Sequence, residues 1–326
     1  MTFHLAEEHP ADDEAAVTAA LITLITEYSA RTCADGPVRR FAHPKQVGCV
    51  RAEFAVDDDL PDELRVGLFQ PGRRYPAIIR FGNNAFQSDA KKDIRGMSIK
   101  LSDIPGPSLL PDEQSQDFIL ISHDPLVVGT PAEFYAMQRA VLAGHPLRFF
   151  LNPFDWHGRS LRTVFAARRR HASHLAIRYW STTPYLFGPS RAVKYSVRPA
   201  SPSAATLPGR PTDNYLRDEL IGRVGREAVS FDFLIQFQTD PRRMPIEDAS
   251  VPWDEAISPF IKVAGLTIPA QDAADPGLQR LGEELAFNPW HCLAEHRPLG
   301  GINRVRKAVY QALAEFRQSR NGKDKK

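Results

Sequence analysis

Hydrophobic and polar positions change period several times along this chain. In residues 12–31, DDEAAVTAALITLITEYSAR, Val17, Leu21, Leu24 and Ile25 recur at the helical period, with Asp12 or Asp13 near the start. This predicts a helix over 12–31. The next segments shorten and turn β-favourable: CVRAEFAV (49–56), YPAIIRFG (75–82), GMSIKL (96–101) and DFILIS (117–122), each bounded by turn residues. Helical patterning follows at 131–144 and around 158–176. Strands return at AVKYSVRP (192–199) and VSFDFLIQFQTD (229–240). In the latter, Val229, Phe231, Phe233, Ile235 and Phe237 alternate with mostly polar neighbours, as in a strand with one buried face. Strands, then helices, then strands, then a closing helix is not the alternation of a parallel sheet. The pattern fits an α+β fold with an antiparallel sheet, one form of which is a β-barrel core with flanking helices, and no repeat or convincing boundary divides a single domain over 1–326.

The closing helix carries an unusual stripe. In NRVRKAVYQALAEFR (303–317), Arg306, Tyr310 and Arg317 fall within roughly 40° of one another at about 100° per residue. Val305, Val309, Ala312 and Phe316 form an adjoining apolar face. Beyond it, RQSRNGKDKK is polar and basic, which predicts a frayed tail over about 318–326.

Composition narrows the function classes. With 43% hydrophobic residues the chain can fill a substantial core, and a formal charge of +2 gives no global bias toward nucleic acid or membranes. Cys33, Cys49 and Cys292 share no metal-type spacing, and an odd count argues against a disulfide framework. The first residues are acidic without a signal-peptide pattern, and no apolar run approaches the roughly 20 residues needed to span a bilayer. These features predict a cytoplasmic protein with no membrane span, open to homo-oligomer formation.

Several motifs are absent: no P-loop, no GxGxxG after a strand and no GxSxG elbow. HCLAEH (291–296) matches neither HExxH nor HxxEH and reads as a packed loop rather than a zinc site. ARRRHASH (167–174) reads as a solvated helix face, with an anionic-ligand contact as the alternative. The Arg306–Tyr310 spacing carries more chemistry. A cation one helical turn from a phenol favours phenolate, a hard oxygen suited to ferric iron and a known axial ligand of haem. The competing reading is an arginine packed over a half-buried tyrosine.

VRRFAHPKQVGCVRAEFAV (38–56) and IIRFGNNAFQSDAKKDIRGMSIKL (78–101) resemble the haem-binding core of catalases. The match includes an Arg three residues before a His, a Lys two residues after it, Arg-Phe at a strand end and an Asp-x-Arg-Gly stretch. YLFGPSRAVKYSVRP, FLIQFQTDP and the late Arg-x-x-x-Tyr follow in family order, so the resemblance spans most of 37–317. It implies haem b with Tyr310 as iron ligand and Arg306 supporting its phenolate. Arg40, Arg80 and Arg317 would pair the propionates, where a guanidinium fork suits a carboxylate. His43 would act on a peroxide proton as a neutral imidazole. Asp93 matches an acidic residue near the family's access channel, with a structural ion pair as the alternative.

The sequence also departs from the family. Ser122, with His123 beside it, stands where catalases carry a distal asparagine, and its hydroxyl has shorter reach. Gly82 replaces a common serine, and the chain ends soon after Tyr310. The short catalase-related peroxidases are a better match, as are catalase-like domains that isomerise fatty-acid hydroperoxides. Those isomerases usually place Thr before the distal His, where this chain has Ala42. The expectation is a haem peroxidase using hydrogen peroxide or organic hydroperoxides with a small electron donor. The alternatives are a hydroperoxide isomerase or dehydratase and a non-catalytic haem-binding protein.

Overall fold

A computed structural model describes residues 4–33, 36–110 and 114–323. In chain order the elements are α1 (Glu14–Thr32), β1 (Lys45–Val56), β2 (Arg74–Asn83), β3 (Arg95–Leu101), β4 (Gln116–Ile121), α2 (Pro131–Leu142), α3 (Leu147–Phe150) and α4 (Gly158–Ala167). There follow β5 (Tyr179–Trp180), β6 (Tyr185–Phe187), β7 (Arg191–Pro199), α5 (Tyr215–Val224), β8 (Val229–Phe237), β9 (Ile261–Ile268), α6 (Pro276–Glu284) and α7 (Gly301–Lys323).

The strands pair antiparallel in the order β5-β4-β3-β2-β1-β9-β8-β7-β6, and β5 also pairs β7. That second pairing closes an eight-stranded barrel and leaves β6 as an extra strand on β7. Alternation explains what fills it. Tyr75, Ala77, Ile79 and Phe81 of β2, Met97, Ile99 and Leu101 of β3, and Phe118 and Leu120 of β4 belong to one buried cluster. At its centre Phe233 packs on Phe118 at 4.7 Å and on Phe54 at 5.0 Å between ring centroids, within the usual range for aromatic pairs. The intervening residues of β1–β4 therefore face outward.

Outside the barrel α1, α2 and α7 pack together. Leu21 and Ile25 of α1 meet Val305 and Val309 of α7, with Phe41, Phe134, Tyr135 and Tyr310 at the margins. Thr130 and Glu133 form a reciprocal capping box at the start of α2. Arg304 of α7 binds Glu14 of α1, Glu8 before it and Glu247, which ties the amino-terminal segment to the last helix. Among the described residues, no helix is long and apolar enough to cross a membrane.

α7 continues to Lys323, so residues 318–323 are helical, and 324–326 of the expected frayed tail lie outside the described residues. One expectation needs correction. ARRRHASH is not a solvated helix face, because α4 ends at Ala167. Arg169 then bridges the Asp93 backbone, Arg170 Nε donates to the Ala90 carbonyl, and His174 is buried against Tyr179. Those tertiary contacts outcompete local helix propensity.

Candidate functional site

The outer face of β1–β4 is built in rungs. Cys49, Arg80, Ser98 and Ile119 lie across one rung, and Gly82, Gly96 and Ile121 across the next toward the strand ends. The two glycines make a floor without side chains. The His43 ring lies on it: a Cβ at Gly96 would stand 2.5 Å from ring atoms Nδ1 and Cε1. His43 itself has φ +53°, a backbone region few non-glycine residues occupy, immediately before Pro44 and the start of β1. Its carbonyl accepts from Arg80 Nη1 at 3.1 Å, which fixes the turn against β2. Nδ1 is buried and has no hydrogen-bond partner. Burial pushes the imidazole down to about 4, helped by the Arg80, Arg95 and Arg306 charges and opposed by the Gly82 backbone. At neutral pH the ring is an uncharged base.

Arg40, Arg80 and Arg317 come from three separate parts of the chain and converge at the carboxyl end of α6. Arg40 donates to the Gly282 carbonyl at 2.9 Å and to that of Leu285; Arg317 donates to the Glu283 and Leu285 carbonyls. These are the acceptors a helix end leaves unsatisfied. Glu283 is the carboxylate they share: Arg40 Nη1 lies 2.9 Å from Oε2 and Arg80 Nη2 3.6 Å from Oε1. Arg80 Nη2 is buried and within hydrogen-bond distance of no acceptor. Burial, then the Arg80 and Arg317 charges, push Arg40 down to about 8 against the pull of Glu283. Burial also lowers Arg80 and Arg317. Cys49, beside Arg80 on the same rung, is pushed up to about 11 by burial despite both guanidinium groups.

On α7, Tyr310 is half-buried in the α1–α7 cluster next to Phe41 and Leu313. Arg306 does not bond the phenol. Its Nη1 donates to Thr183 Oγ1 at 3.1 Å and Asn303 Oδ1 at 3.2 Å, which holds the guanidinium toward the β5–β6 connection. Its charge still reaches Tyr185 and His43.

The remaining sequence candidates have defined places. Ser122 extends the β3–β4 ladder: its N–H donates to the Arg95 carbonyl and its Oγ accepts from the Arg95 N–H, both at 2.9 Å. Ile121, opposite Gly96, presents its side chain on the His43 face. His123 is half-buried and lowered by burial. The Asp93 carboxylate braces a turn, accepting the N–H groups of Ala85, Phe86 and Ile94. In HCLAEH, His291 bonds Asp117 at 2.8 Å, Cys292 is buried, and His296 Nε2 accepts from the Leu68 N–H.

Sequence reasoning missed Glu283, the Gly96 floor and Ile121. The glycines were visible in FGNN and DIRGMS, but only the β2–β3 register makes them adjacent. Glu283 had no signal, since its role depends on where α6 ends.

This architecture is the catalase fold. The chain superposes on a fungal catalase with a TM-score of 0.70 at 16% identity, covering 97% of this chain and 66% of that one. A bacterial catalase gives 0.66 at 14% identity, over 98% and 63% of the two chains. Catalase A from Saccharomyces cerevisiae gives 0.68 at 16%, over 98% and 67%. The chain thus spans about two thirds of the length of these catalases. No protein-family model matches the sequence, and a search of curated proteins finds no significant match.

The residues present fit a haem. Three guanidinium groups meet beside Glu283 and Glu284, a cationic cluster suited to carboxylates, and Arg80 Nη2 reaches Glu283 only at 3.6 Å. A neutral histidine with an unpartnered nitrogen lies on the barrel wall, and a tyrosine lies on α7.

Proposed function

We propose that this protein is a haem-dependent peroxidase, one catalase-like domain that reduces hydrogen peroxide or organic hydroperoxides at the expense of small electron donors. The observation that carries the reading is the convergence of Arg40, Arg80 and Arg317, with the buried Arg80 Nη2 held only by a long, 3.6 Å ion pair to Glu283. Arg40, Arg80 and Arg317 would hold the propionates, and Tyr310 would supply the iron ligand. When bound, ferric haem supplies the redox chemistry that cleaves the O–O bond, and two one-electron donors restore it.

The chain's own groups manage the proton. His43, neutral on its glycine floor, takes the proton from the inner peroxide oxygen and returns it to the outer oxygen as that leaves. Its φ of +53° and the Arg80 bond to its carbonyl hold the imidazole in place beforehand. Ser122 tunes the outcome from the strand edge. Ile121 gives the His43 face an apolar neighbour, which favours organic hydroperoxides.

Purified protein should show a high-spin ferric spectrum of the tyrosinate type, and Tyr310→Phe should lose it with much of the haem. His43→Ala should keep the haem but slow its reaction with peroxide about 10²–10⁴-fold in stopped flow. An unchanged Tyr310→Phe spectrum removes the ligand assignment, and a normal rate in His43→Ala removes the mechanism. Product analysis with a fatty-acid hydroperoxide separates the chemistries: an alcohol plus oxidised donor marks a peroxidase, an epoxide without donor turnover an isomerase.

A further inference from the structure

Six of the nine most exposed large apolar side chains among the described residues fall in one stretch, 141–165. Phe154 is 97% exposed, Phe165 73%, Trp156 68% and Leu147 60%, with Leu151 and Val141 beside them. They share a base: Phe149, Phe150, Leu161 and Val164 pack beneath α2, α3 and α4 with Val127 and Val128. That base anchors α2, α3 and α4, and the exposed side chains stand on these helices and on the segment that joins α3 to α4. Trp156 is itself restrained, since a Cβ at Gly158 would lie 2.3 Å from its Nε1.

The same surface is cationic. Residues 141–170 contain Arg148, Arg159, Arg162, Arg168, Arg169 and Arg170 against the single acid Asp155. Arg148, Arg159 and Arg162 are exposed, and no described ion pair engages them. On α4, Arg159, Arg162 and Phe165 follow at helical spacing, so charge and aromatic surface lie side by side. A recess of about 250 Å³, lined in part by Arg139, His145 and Arg148, opens among them.

We propose that this platform docks the protein peripherally on an anionic lipid surface. Phe154, Trp156 and Leu147 enter the headgroup–acyl boundary, and the arginines pair lipid phosphates. A second copy of this chain fits less well, because a two-fold contact sets the patch against itself and brings unpaired arginines face to face. Single-stranded nucleic acid also takes arginine and aromatic rings, but Leu147, Leu151 and Val141 offer no stacking face. The near-neutral charge of the whole chain and the absence of a described membrane-spanning helix are compatible with this local binding. The proposal does not depend on the haem reading.

The test uses the full-length protein with vesicles of phosphatidylcholine alone or mixed equally with phosphatidylglycerol. Wild type should co-sediment with the anionic vesicles and hardly with neutral ones. Its tryptophan emission should shift to the blue, because Trp156 is exposed whereas Trp180 is half-buried and Trp253 and Trp290 are buried. Binding should fall at least about tenfold in Phe154→Ser/Trp156→Ser and in Arg159→Glu/Arg162→Glu, both with unchanged melting temperature. It should also fall in about 0.5 M salt. No binding to anionic vesicles at low salt overturns the proposal, as does wild-type binding by the aromatic double variant. So does a vesicle-free dimer that the aromatic variant dissolves, or oligonucleotide binding without vesicle binding.

Discussion

A single methyl group tests the floor beneath His43. Gly96→Ala would put a carbon 2.5 Å from the imidazole, and with Arg80 and Pro44 fixing the turn the ring has to move. We expect the barrel to survive at a cost of about 1–3 kcal/mol, while peroxide reactivity drops toward that of His43→Ala. A melt and a stopped-flow trace on one preparation check both halves. Burial also gives His43 a pH signature. Its folded pKa, about 4, lies below the ordinary value of 6.5, so the unfolded chain binds more protons between the two. Stability on this account is full above pH 6.5 and lost as pH falls toward 4. His171 and His296, each also held at about 4 chiefly by burial, add to the same loss. Denaturant midpoints measured from pH 7 to pH 4 should fall steadily, whereas the peroxide rate should stay flat above about pH 5. At this scale Tyr310, His43 and the three arginines could be singled out as candidates because their types and order resemble a known haem core. Ile121 was not, because strand alternation and register, rather than residue type, turn it toward His43.

At the scale of elements, one side chain fastens three parts of the fold. Arg304 makes paired contacts with Glu14 and Glu247, each between 2.7 and 3.0 Å, and also bonds Glu8. Removing it leaves three partly buried carboxylates facing one another. Arg304→Ala should cost about 3 kcal/mol, the low end for breaking a buried ion pair, and should loosen α1 first. Hydrogen exchange concentrated in residues 14–32 would show this, whereas uniform exchange would locate the loss elsewhere. Strands with clean alternation, such as β8, could be read directly from the sequence. β9 could not: Ala264 and Gly265 interrupt IKVAGLTI, and its pairing with β8 shifts register at Phe233 and Leu234, where Val263 of β9 is passed over. β5 has only two residues and exists because β4 and β7 flank it. α6, whose end gathers the arginines, has nine residues and no long apolar pattern.

For the whole molecule, strands, helices, strands and a closing helix pointed to an antiparallel α+β fold, and the resemblance to catalases pointed to a barrel with helices outside. They were not enough to say which strands close it. β1 to β4 pair with their sequence neighbours, so the wall beneath His43 assembles from local hairpins. The other edge of β1 waits for β9: Glu53 pairs Thr267, 214 residues later (267 − 53). At about 5–20 residues per second a ribosome takes roughly 10–40 s to supply that partner. Through that interval the edge of β1 stands bare, open to pairing with another nascent chain. Chains truncated before Ile261 keep this edge and that of β8 permanently exposed, and should collect in the insoluble fraction. For the intact chain, slower translation lengthens the exposed interval and cooler growth weakens the apolar attraction between chains, so the yield of native protein depends on how these two effects balance.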